Sequence, residues 1–433
     1  MPRRRSIGHR RLSFGDERGL VGIGDPPRPV RQRREDRAVP RVSPRYDRRR
    51  VRSEWLPHPL GASPVRPADR LPQSHRVAPL HRAGRGPARS DGSAQALRIA
   101  GVARSRTVRV LVTGATGFTG GHLARYLAAR GHDVRALVRD VARADDLARA
   151  GIELVRGDLR DPSTFAPATT GVDVVYHIAA LYRQAAISNA PYREINATAV
   201  DRIVEAAARG GAKRVVHCST VGVHGHVEHP PANEDAPLRP GDIYQVTKLE
   251  GEELARRAGD RVGIEVTIAR PTGIYGPGDR RLLKLFRGVA RRRWITLGRG
   301  EIYYHLTYID DLVEGFRLCG EHPAAANRTY ILAGAEVTTL NELVRLVADV
   351  AGVPPPKLHV PVWPVWMAGA ICEAVCVPLR IQPSLYRRRV DFFTKSRAFD
   401  ITRARTEIGY APQVGLRDGI GRTLEWYRHK GWL

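Results

Sequence analysis

The distribution of apolar residues changes abruptly at Val108, and from there short apolar runs alternate with longer stretches of helical period. The runs occupy residues 108–112, 134–138, 152–155, 172–178, 214–217 and 264–269. Short apolar runs are typical of buried strands, and apolar residues spaced three or four apart, most clearly in 192–209, indicate amphipathic helices. Strands that alternate with helices predict an α/β fold whose parallel sheet is covered on both faces, with the strand carboxyl ends along one edge.

Beyond about residue 274 the alternation weakens. A basic helix is predicted near 282–293, a strand at 329–332, and further helices at 340–350 and near 415–427. We therefore divide this part of the chain into a sheet domain, 107–273, and a smaller lobe, 274–433, some of whose segments return to the sheet domain. A lobe of this size is suited to close over a ligand at the edge of the sheet.

Residues 1–106 differ from the rest in composition. They contain 26 arginines, no lysine and nine acidic residues, and they are rich in proline and glycine. Such a segment cannot bury enough apolar surface to offset its chain entropy, so we expect it to be disordered. Three interpretations are open: a reading frame extended upstream of the true start, an interaction tail, or a targeting segment. The acidic residues argue against a targeting segment.

Nucleic acid is the partner that an arginine-rich tail first suggests, because arginine neutralises phosphate. The tail has no recognisable binding module, however, and its only aromatic residues are Phe14, Tyr46 and Trp55. No nucleic-acid partner is therefore expected for the folded domain.

Four cysteines, Cys218, Cys319, Cys372 and Cys376, occur in 433 residues. They form no pair of CxxC units, so no metal site is expected. Sparse cysteine without a signal peptide is typical of a reducing compartment, and we expect a cytoplasmic protein.

A glycine-rich turn joins the first predicted strand to the first predicted helix. The sequence TGATGFTG at 113–120 contains Gly114, Gly117, Phe118 and Gly120, the candidate cofactor contacts. Glycines let the backbone turn tightly and approach a pyrophosphate, whose charge is then met by the helix N-terminus. In this strand–turn–helix context the motif predicts a dinucleotide-binding site.

A second motif, formed by Tyr244 and Lys248, lies on a predicted helix downstream. Side chains four residues apart project from one helix face. The pKa of tyrosine is near 10, and a nearby ammonium together with a positive nicotinamide ring would lower it towards a useful range for a base. With the glycine turn upstream, Tyr244 is the predicted acid–base catalyst and Lys248 its partner.

The GxxGxxG spacing of the turn, with the tyrosine–lysine pair, resembles the short-chain dehydrogenase/reductase superfamily, extended branch. Further stretches match that branch: GDL at 157–159, HIAA at 177–180, RPTGIYGP at 270–277 and YIDD at 308–311. The resemblance spans 108–433. It implies a Rossmann fold, which is a doubly wound parallel sheet, with a small C-terminal substrate-binding lobe, and homodimers through the helix that carries Tyr244 are common in this branch.

The matching stretches supply further candidate cofactor contacts, which are Asp158, Leu159, Ala179, Ala180 and Pro271. The resemblance implies that Asp158 contacts the adenine and that Ala179 and Ala180 line the cofactor cleft.

The resemblance also assigns the reacting groups. It implies that Lys248 holds the nicotinamide ribose and that a Ser or Thr after the strand at 214–217 hydrogen-bonds the reacting oxygen. Thr220 is preferred over Ser219 for this role, by its offset from the VHG sequence at 223–225. For Ser219, a strand-end hydroxyl bonded to backbone is an equal alternative. Asn196 matches a helix position that supports the site.

Cofactor choice depends on the end of the second strand. Enzymes that use NAD usually place an acid there to accept hydrogen bonds from the ribose hydroxyls. In this chain the strand ends in Val138 and Arg139, with no carboxylate before Asp140. Because Arg139 could pair with a 2′-phosphate, we predict NADP, and NAD remains open if Arg139 is merely solvated.

The predicted reaction follows from where the chain departs from its relatives. Nucleotide-sugar dehydratases resemble one another in an Asp–Glu pair where this chain has Val221 and Gly222, and nucleotide-sugar enzymes tend to have Asn where Gly273 lies. The RPTGIYG stretch is more similar to 3β-hydroxysteroid dehydrogenases and dihydroflavonol reductases. We therefore predict hydride transfer between nicotinamide and a secondary alcohol or ketone of a sterol-like or other hydrophobic small-molecule substrate.

Two alternatives stay open. One is a nucleotide-sugar epimerase that oxidises and re-reduces its own substrate. The other, of a different class, is a non-catalytic nucleotide-sensing or RNA-associated protein, against which the intact Tyr244 and Lys248 argue because a sensor needs no general base.

An apolar stretch at 360–379 resembles a membrane element but is interrupted by Pro361, Pro364 and Glu373. A buried helix of the second lobe is the prediction. The alternatives are a spanning helix, and an interfacial or substrate-covering helix that makes peripheral membrane contact.

Overall fold

The computed structural model describes residues 107–184, 187–376 and 390–433. The predictions for residues 1–106 lie outside the described residues. The strands in these ranges are β1 (Arg109–Thr113), β2 (Asp133–Val138), β3 (Glu153–Arg156), β4 (Val174–His177), β5 (Arg214–Cys218), β6 (Glu265–Pro271), β7 (Gly273–Tyr275), β8 (Thr296–Leu297), β9 (Tyr303–Tyr308), β10 (Thr329–Leu332), β11 (Val337–Thr339) and β12 (His359–Val360).

The α-helices in the same ranges are α1 (Phe118–Ala129), α2 (Asp145–Ala148), α3 (Pro162–Thr169), α4 (Asn189–Arg193), α5 (Ala199–Arg209), α6 (Ile243–Val262), α7 (Leu283–Ala290), α8 (Ile309–Glu321), α9 (Leu340–Ala351), α10 (Val362–Cys376), α11 (Asp391–Thr394), α12 (Thr402–Ile408) and α13 (Leu416–His429). A π-helical turn, Glu194–Thr198, joins α4 to α5, and 3₁₀ turns occupy Val141–Arg143, Val221–His224 and Pro323–Ala325.

Seven strands form one sheet in the order β10-β6-β5-β4-β1-β2-β3, and every neighbouring pair is parallel. Strands β1, β2 and β3 follow one another across the sheet in one direction. Strands β4, β5 and β6 follow one another in the opposite direction, on the other side of β1. The prediction of a doubly wound parallel sheet is thereby confirmed. Because the order reverses at β1, the carboxyl ends of β1 and β4 flank the crevice in which such sheets bind ligands.

Residues along the central strands alternate between two cores, one on each face of the sheet. In β1, Val110 and Val112 pack into one core and Leu111 into the other. In β4, Tyr176 packs into the same core as Val110, and Val175 packs into the same core as Leu111. Both faces are covered, which explains why the strands appear in the sequence as continuous apolar runs without polar alternation.

The second half of the chain returns to the large sheet before it forms small sheets of its own. Strand β10 pairs with β6 at one edge, at the residues predicted for a strand. The remaining strands form a three-stranded sheet, β11-β9-β7, and a two-stranded sheet, β12-β8. Helix α9 begins with a capping box in which Thr339 and Glu342 bind each other's backbone N–H groups, and this fixes its start near the predicted residue.

The apolar stretch at 360–379 departs from its prediction. Its described part, α10, buries only Gly369, whereas Trp363 is 70% exposed and Ile371 is 60% exposed. The prediction of a buried helix was therefore wrong for α10, and residues 377–379 of the stretch lie outside the described residues. Across the described residues, no helix is both long enough and apolar enough to cross a bilayer.

Candidate active site

The turn after β1 depends on its glycines. Gly114 has a φ of +73°, and its carbonyl oxygen accepts a hydrogen bond from Gly117 N at 2.9 Å. A Cβ atom added at Gly120 would lie 2.3 Å from Gly114 O, and one added at Gly114 would lie 2.8 Å from Ala179 N. Any side chain at these two positions would force the backbone apart, so the turn requires glycine.

The same turn presents the amino end of α1 to solvent. Thr116 and Gly117 are exposed, no side chain caps α1, and the first turn of this helix holds no acidic residue. The first N–H groups of a helix carry partial positive charge and bind anions. The chain's own groups therefore fit a cofactor pyrophosphate at this position.

Ala179 and Ala180 follow β4 and lie beside this turn. Thr113 Oγ1 is 2.9 Å from His177 Nδ1 and accepts a hydrogen bond from Ala179 N at 3.2 Å. These contacts hold the backbone of Ala179 against Gly114, while Ala180 remains exposed. The two alanines thus lie next to the glycine turn, where we predicted the cofactor cleft.

The ends of β2 and β3 carry the charged groups nearest to the adenosine side of such a crevice. Arg139 is exposed after β2, whereas Asp140 caps the next 3₁₀ turn through its carboxylate. Asp158 follows β3, and its carboxylate accepts a hydrogen bond from Arg160 at 2.6 Å. This bond lowers the pKa of Asp158, while burial opposes the shift; the charge of Arg139 lowers the pKa further. Leu159 is buried in the core. The exposed side chain that directly follows β2, Arg139, is thus a cation.

Tyr244 and Lys248 lie in the first two turns of α6. Asp242 caps this helix through Oδ1, and its Oδ2 accepts a hydrogen bond from Arg183 Nε at 2.7 Å. The guanidinium of Arg183 lies 5.5 Å from the centre of the Tyr244 ring, and the ring of Tyr182 meets it edge-on at 5.0 Å. The loop after β4 therefore fixes the orientation of the Tyr244 phenol.

Burial raises the pKa of Tyr244 above its usual value, and the cations Arg183 and Arg281 offset this only in part. Lys248, from which we predicted a lowering, is not among the main groups that shift the pKa of Tyr244; its ammonium lies beside His217. An ordinary tyrosine is already protonated at neutral pH, so these groups leave the phenol in the form that donates a proton but make it a weaker acid.

The ammonium group of Lys248 is buried. Its Nζ atom lies 3.3 Å from Nε2 of His217, and the residue is 1% exposed. Burial lowers the pKa of Lys248, and the charges of Cys218 and Glu252 oppose this shift. Burial also lowers the pKa of His217 well below 6.5, with Lys248 adding to the effect. His217 is therefore neutral at pH 7 and can accept a hydrogen bond from Lys248.

Ser219 and Thr220 follow β5 but have different surroundings. Ser219 is 3% exposed, and its Oγ donates a hydrogen bond to Glu252 Oε1 at 2.5 Å. Arg270 binds the same carboxylate at 2.7 and 2.9 Å, so Ser219 belongs to a buried ion-pair network. Thr220 is half-buried, and its Oγ1 accepts a hydrogen bond from Gly222 N at 3.0 Å. That bond does not use the hydroxyl hydrogen of Thr220, which can therefore be donated to a ligand.

Asn196 connects the loop after β4 to α6 from within the π-helical turn. Its Oδ1 accepts from Leu181 N at 2.7 Å, and its Nδ2 donates to Leu181 O at 3.1 Å and to Thr247 Oγ1 at 3.2 Å. A Cβ added at Gly251 would lie 2.2 Å from Asn196 O, so the helix and the turn are in close contact. Asn196 thereby sets the position of both elements that carry the site.

Arg281 is a site residue that the sequence analysis missed. Its guanidinium lies 5.4 Å from the centre of the half-buried Phe118 ring, and its charge acts on Tyr244. It is held by hydrogen bonds to Ile274 O at 3.0 Å and to Asp279 Oδ1 at 2.8 Å. Arg281 thus contacts Phe118, next to the glycine turn, and no spacing rule in the sequence marks it.

Most predicted residues belong to segments that meet at one edge of the sheet. Tyr244 and Thr220 share that edge with the glycine turn, because β1, β4 and β5 are neighbours that point the same way. Ser219, Leu159 and Pro271 are buried.

A model of the NAD dependent epimerase/dehydratase family matches residues 110–333, about half of the chain. The chain belongs to this family. This membership confirms the resemblance to extended short-chain dehydrogenases/reductases.

Individual members of the family show what the chain is similar to. It is 31% identical to a 2-alkyl-3-oxoalkanoate reductase from Stenotrophomonas maltophilia, over 73% of this chain and 98% of that protein. It is 29% identical to 3beta-hydroxysteroid-dehydrogenase/decarboxylase isoform 2 from Arabidopsis thaliana, over 74% of this chain but only 62% of the plant protein. Among solved structures, MoeE5 in complex with UDP-glucose and NAD has a TM-score of 0.59 and 26% identity, covering 74% of this chain and 99% of that one.

Proposed function

We propose that this protein is an NADP-dependent oxidoreductase that transfers hydride between the nicotinamide and a secondary alcohol or ketone of a hydrophobic small molecule. The observation that carries the proposal is the environment of Tyr244. Its phenol is oriented by Arg183 and Tyr182, and it is located at the same sheet edge as Thr220 and the glycine turn. A protonated phenol at this position suits the transfer of a proton to a carbonyl oxygen.

The cofactor, when bound, supplies or takes up the hydride. The pyrophosphate would be held by the glycine turn and the ribose by Lys248. In reduction, Tyr244 Oη donates its proton to the carbonyl oxygen and becomes a phenolate; in oxidation the phenolate oxygen of Tyr244 takes the proton from the alcohol. Thr220 Oγ1 donates a hydrogen bond to that oxygen and orients it. His217 holds the Lys248 ammonium in place.

Two positions support a hydrophobic ketone or alcohol as the substrate. At both, this chain has an apolar residue or glycine where nucleotide-sugar enzymes have polar residues. Val221 and Gly222 follow Thr220, which leaves no carboxylate there for an elimination. A Cβ added at Gly273 would lie 2.7 Å from a Leu306 methyl carbon, so an asparagine would have to displace Leu306. Two relatives, the 2-alkyl-3-oxoalkanoate reductase and the 3beta-hydroxysteroid-dehydrogenase/decarboxylase, are named for substrates of this class.

NADP is supported by the end of β2. Arg139 is exposed there, and Asp140 is engaged in capping the following turn. A guanidinium binds a phosphate with two parallel charge-assisted hydrogen bonds, whereas a ribose hydroxyl gains most from a carboxylate.

The test is oxidation of NADPH by the full-length chain in the presence of 2-alkyl-3-oxoalkanoates and 3-ketosteroids. We expect turnover with at least one of these ketones, and a loss of about 10²- to 10⁴-fold in Tyr244→Phe, which removes only the hydroxyl. Tyr303→Phe is the matched control, since Tyr303 is 43% exposed on β9, and it should retain activity. Turnover that Tyr244→Phe leaves unchanged would contradict the proposal.

A nucleotide-sugar epimerase is the second candidate, supported by the family membership and by the likeness to the UDP-glucose complex. An epimerase returns the hydride to its substrate and keeps its cofactor, so interconversion of UDP-sugars without net change in nicotinamide absorbance would favour it. A protein without any turnover that retains RNA, and loses the RNA on deletion of 1–106, would favour the non-catalytic alternative.

A further inference from the structure

Helix α10 has an exposed apolar flank. Trp363, Met367, Ile371 and Val375 are 70%, 45%, 60% and 55% exposed, and each is four residues from the next. Side chains at this spacing lie along one side of a helix. The acidic residue of this helix, Glu373, is half-buried and lies off that flank.

The apolar surface continues beyond the start of the helix. Strand β12 pairs with β8, and Thr296 N donates to Leu358 O at 3.1 Å. Leu358 and the neighbouring Ile295 are 55% and 44% exposed. A Cβ at Gly298 would lie 3.0 Å from a Val362 methyl carbon, so β8 contacts the first turn of α10.

We define the α10 surface by six of the exposed apolar side chains in this region, which are Ile295, Leu358, Trp363, Met367, Ile371 and Val375. A continuous patch of large apolar side chains of this kind marks a site of interaction.

Basic residues flank the α10 surface at the β8–β12 end. Arg291, Arg292 and Arg293 precede Ile295 in the chain, and Lys357 precedes Leu358. All four are exposed, and within the described ranges none of them forms an ion pair. An apolar stripe next to unneutralised cations is the pattern of a helix that binds an anionic lipid surface.

We infer that the α10 surface lies on the face of an anionic membrane, with its apolar side chains at the boundary of headgroups and acyl chains and its cations at the lipid phosphates. The 15 residues of α10 span about 22 Å, less than the ~30 Å of the hydrocarbon core, so the helix lies along the membrane and does not cross it. Trp363 is a residue type enriched at this boundary. The inference does not depend on the proposed reaction.

Charge distinguishes a membrane from a second copy of the chain as the occupant. A two-fold pairing through the α10 surface would bring the cations around Arg292 and Lys357 of one copy towards those of the other. An anionic bilayer neutralises them and also accepts the apolar side chains.

Flotation of the full-length chain with vesicles tests the inference. Vesicles of phosphatidylcholine alone are compared with anionic vesicles made of equal parts of phosphatidylcholine and phosphatidylglycerol. We expect binding to the anionic vesicles and a decrease in the partition coefficient of about tenfold in Val375→Asp. Val262→Asp is the matched control, since Val262 is 37% exposed at the end of α6, and it should bind as the wild type does. Ile371→Asp serves as a second variant on the same flank.

Residues 1–106 also attract anionic lipid through their arginines, but they are present in every variant, so the comparison isolates α10. Raised salt weakens the attraction of the tail and should enlarge the difference between Val375→Asp and the wild type. Quenching of tryptophan fluorescence by brominated lipid should fall in Trp363→Phe. Equal binding of Val375→Asp and wild type at all salt concentrations would overturn the inference. So would a lipid-free change from dimer to monomer in Val375→Asp, which would identify a second copy as the occupant.

Discussion

The Nζ atom of Lys248 lies 3.3 Å from Nε2 of His217, in the interior of the protein. Both groups are buried, and burial lowers the pKa of each. Since the imidazole is neutral, it accepts a hydrogen bond from the ammonium and compensates part of the cost of burying that charge. On this basis we predict that His217 positions Lys248.

Replacement of His217 tests this role. His217→Phe keeps a ring but removes the acceptor, so the pKa of Lys248 should fall further and the ammonium should be lost at lower pH. We expect kcat to fall about tenfold at neutral pH and the alkaline limb of the pH–rate profile to move to lower pH. His217→Gln keeps an acceptor and should move the limb less. Identical profiles for the two variants would show that His217 has only a structural role.

The two hydroxyls after β5 can be separated by their substitutions. Thr220→Val should lower kcat/KM with a ketone by about 10²-fold, because it removes the donor to the reacting oxygen and keeps the shape. Ser219→Ala should leave kcat within a few-fold and lower the free energy of unfolding by about 1 kcal/mol, because the Ser219 hydroxyl binds Glu252. Steady-state kinetics and urea unfolding of both variants check this. The reverse assignment would follow if Ser219→Ala were the inactive one.

The ion pair of Glu252 and Arg270 should make stability depend on pH. Burial opposes ionisation of Glu252, but the hydrogen bonds and charge of Arg270 outweigh it, so the pKa of Glu252 lies below 4.5. A carboxyl whose folded pKa is depressed stabilises the protein above its unfolded pKa and loses this contribution as the pH falls through the folded value. Glu252→Gln should therefore cost about 3–5 kcal/mol at pH 7 and less near pH 4.

Urea unfolding at the two pH values measures the cost of Glu252→Gln. Glu253→Gln is the matched control, because the neighbouring Glu253 is exposed on the same helix and its neutralisation should change little. An equal loss of stability at pH 7 and near pH 4 would mean that the charge of Glu252 contributes nothing beyond its packing.

Cofactor preference should depend on Arg139. Arg139→Ser removes the guanidinium that would bind the 2′-phosphate, so the KM for NADPH should rise about ten- to a hundredfold while the KM for NADH stays within a few-fold. Arg149→Ser is the control, because Arg149 is also exposed but lies after α2. A preference for NADH in the wild type, unchanged by Arg139→Ser, would refute the assignment of NADP.

The parts of the site that the sequence predicts are those set by local spacing. The glycines of the first turn can be recognised because the turn itself requires them, as the 2.3 Å approach at Gly120 shows. The pairing of Tyr244 with Lys248 follows from the helical repeat. The contributions of Arg183 and Arg281 could not be predicted, because each reaches Tyr244 from a loop whose path depends on packing.

The sequence by itself determined the order of strands and helices, the glycine turn and the face that Tyr244 and Lys248 share, because periodicity and spacing along the chain encode them. Tertiary structure alone decided that Ser219 joins Glu252 while Thr220 faces the crevice, and that His217 lies against Lys248. It also decided that the apolar side chains of α10 are exposed. The reason is the same for all of these: which side chain meets which depends on how segments distant in the chain pack, and no local pattern records those contacts.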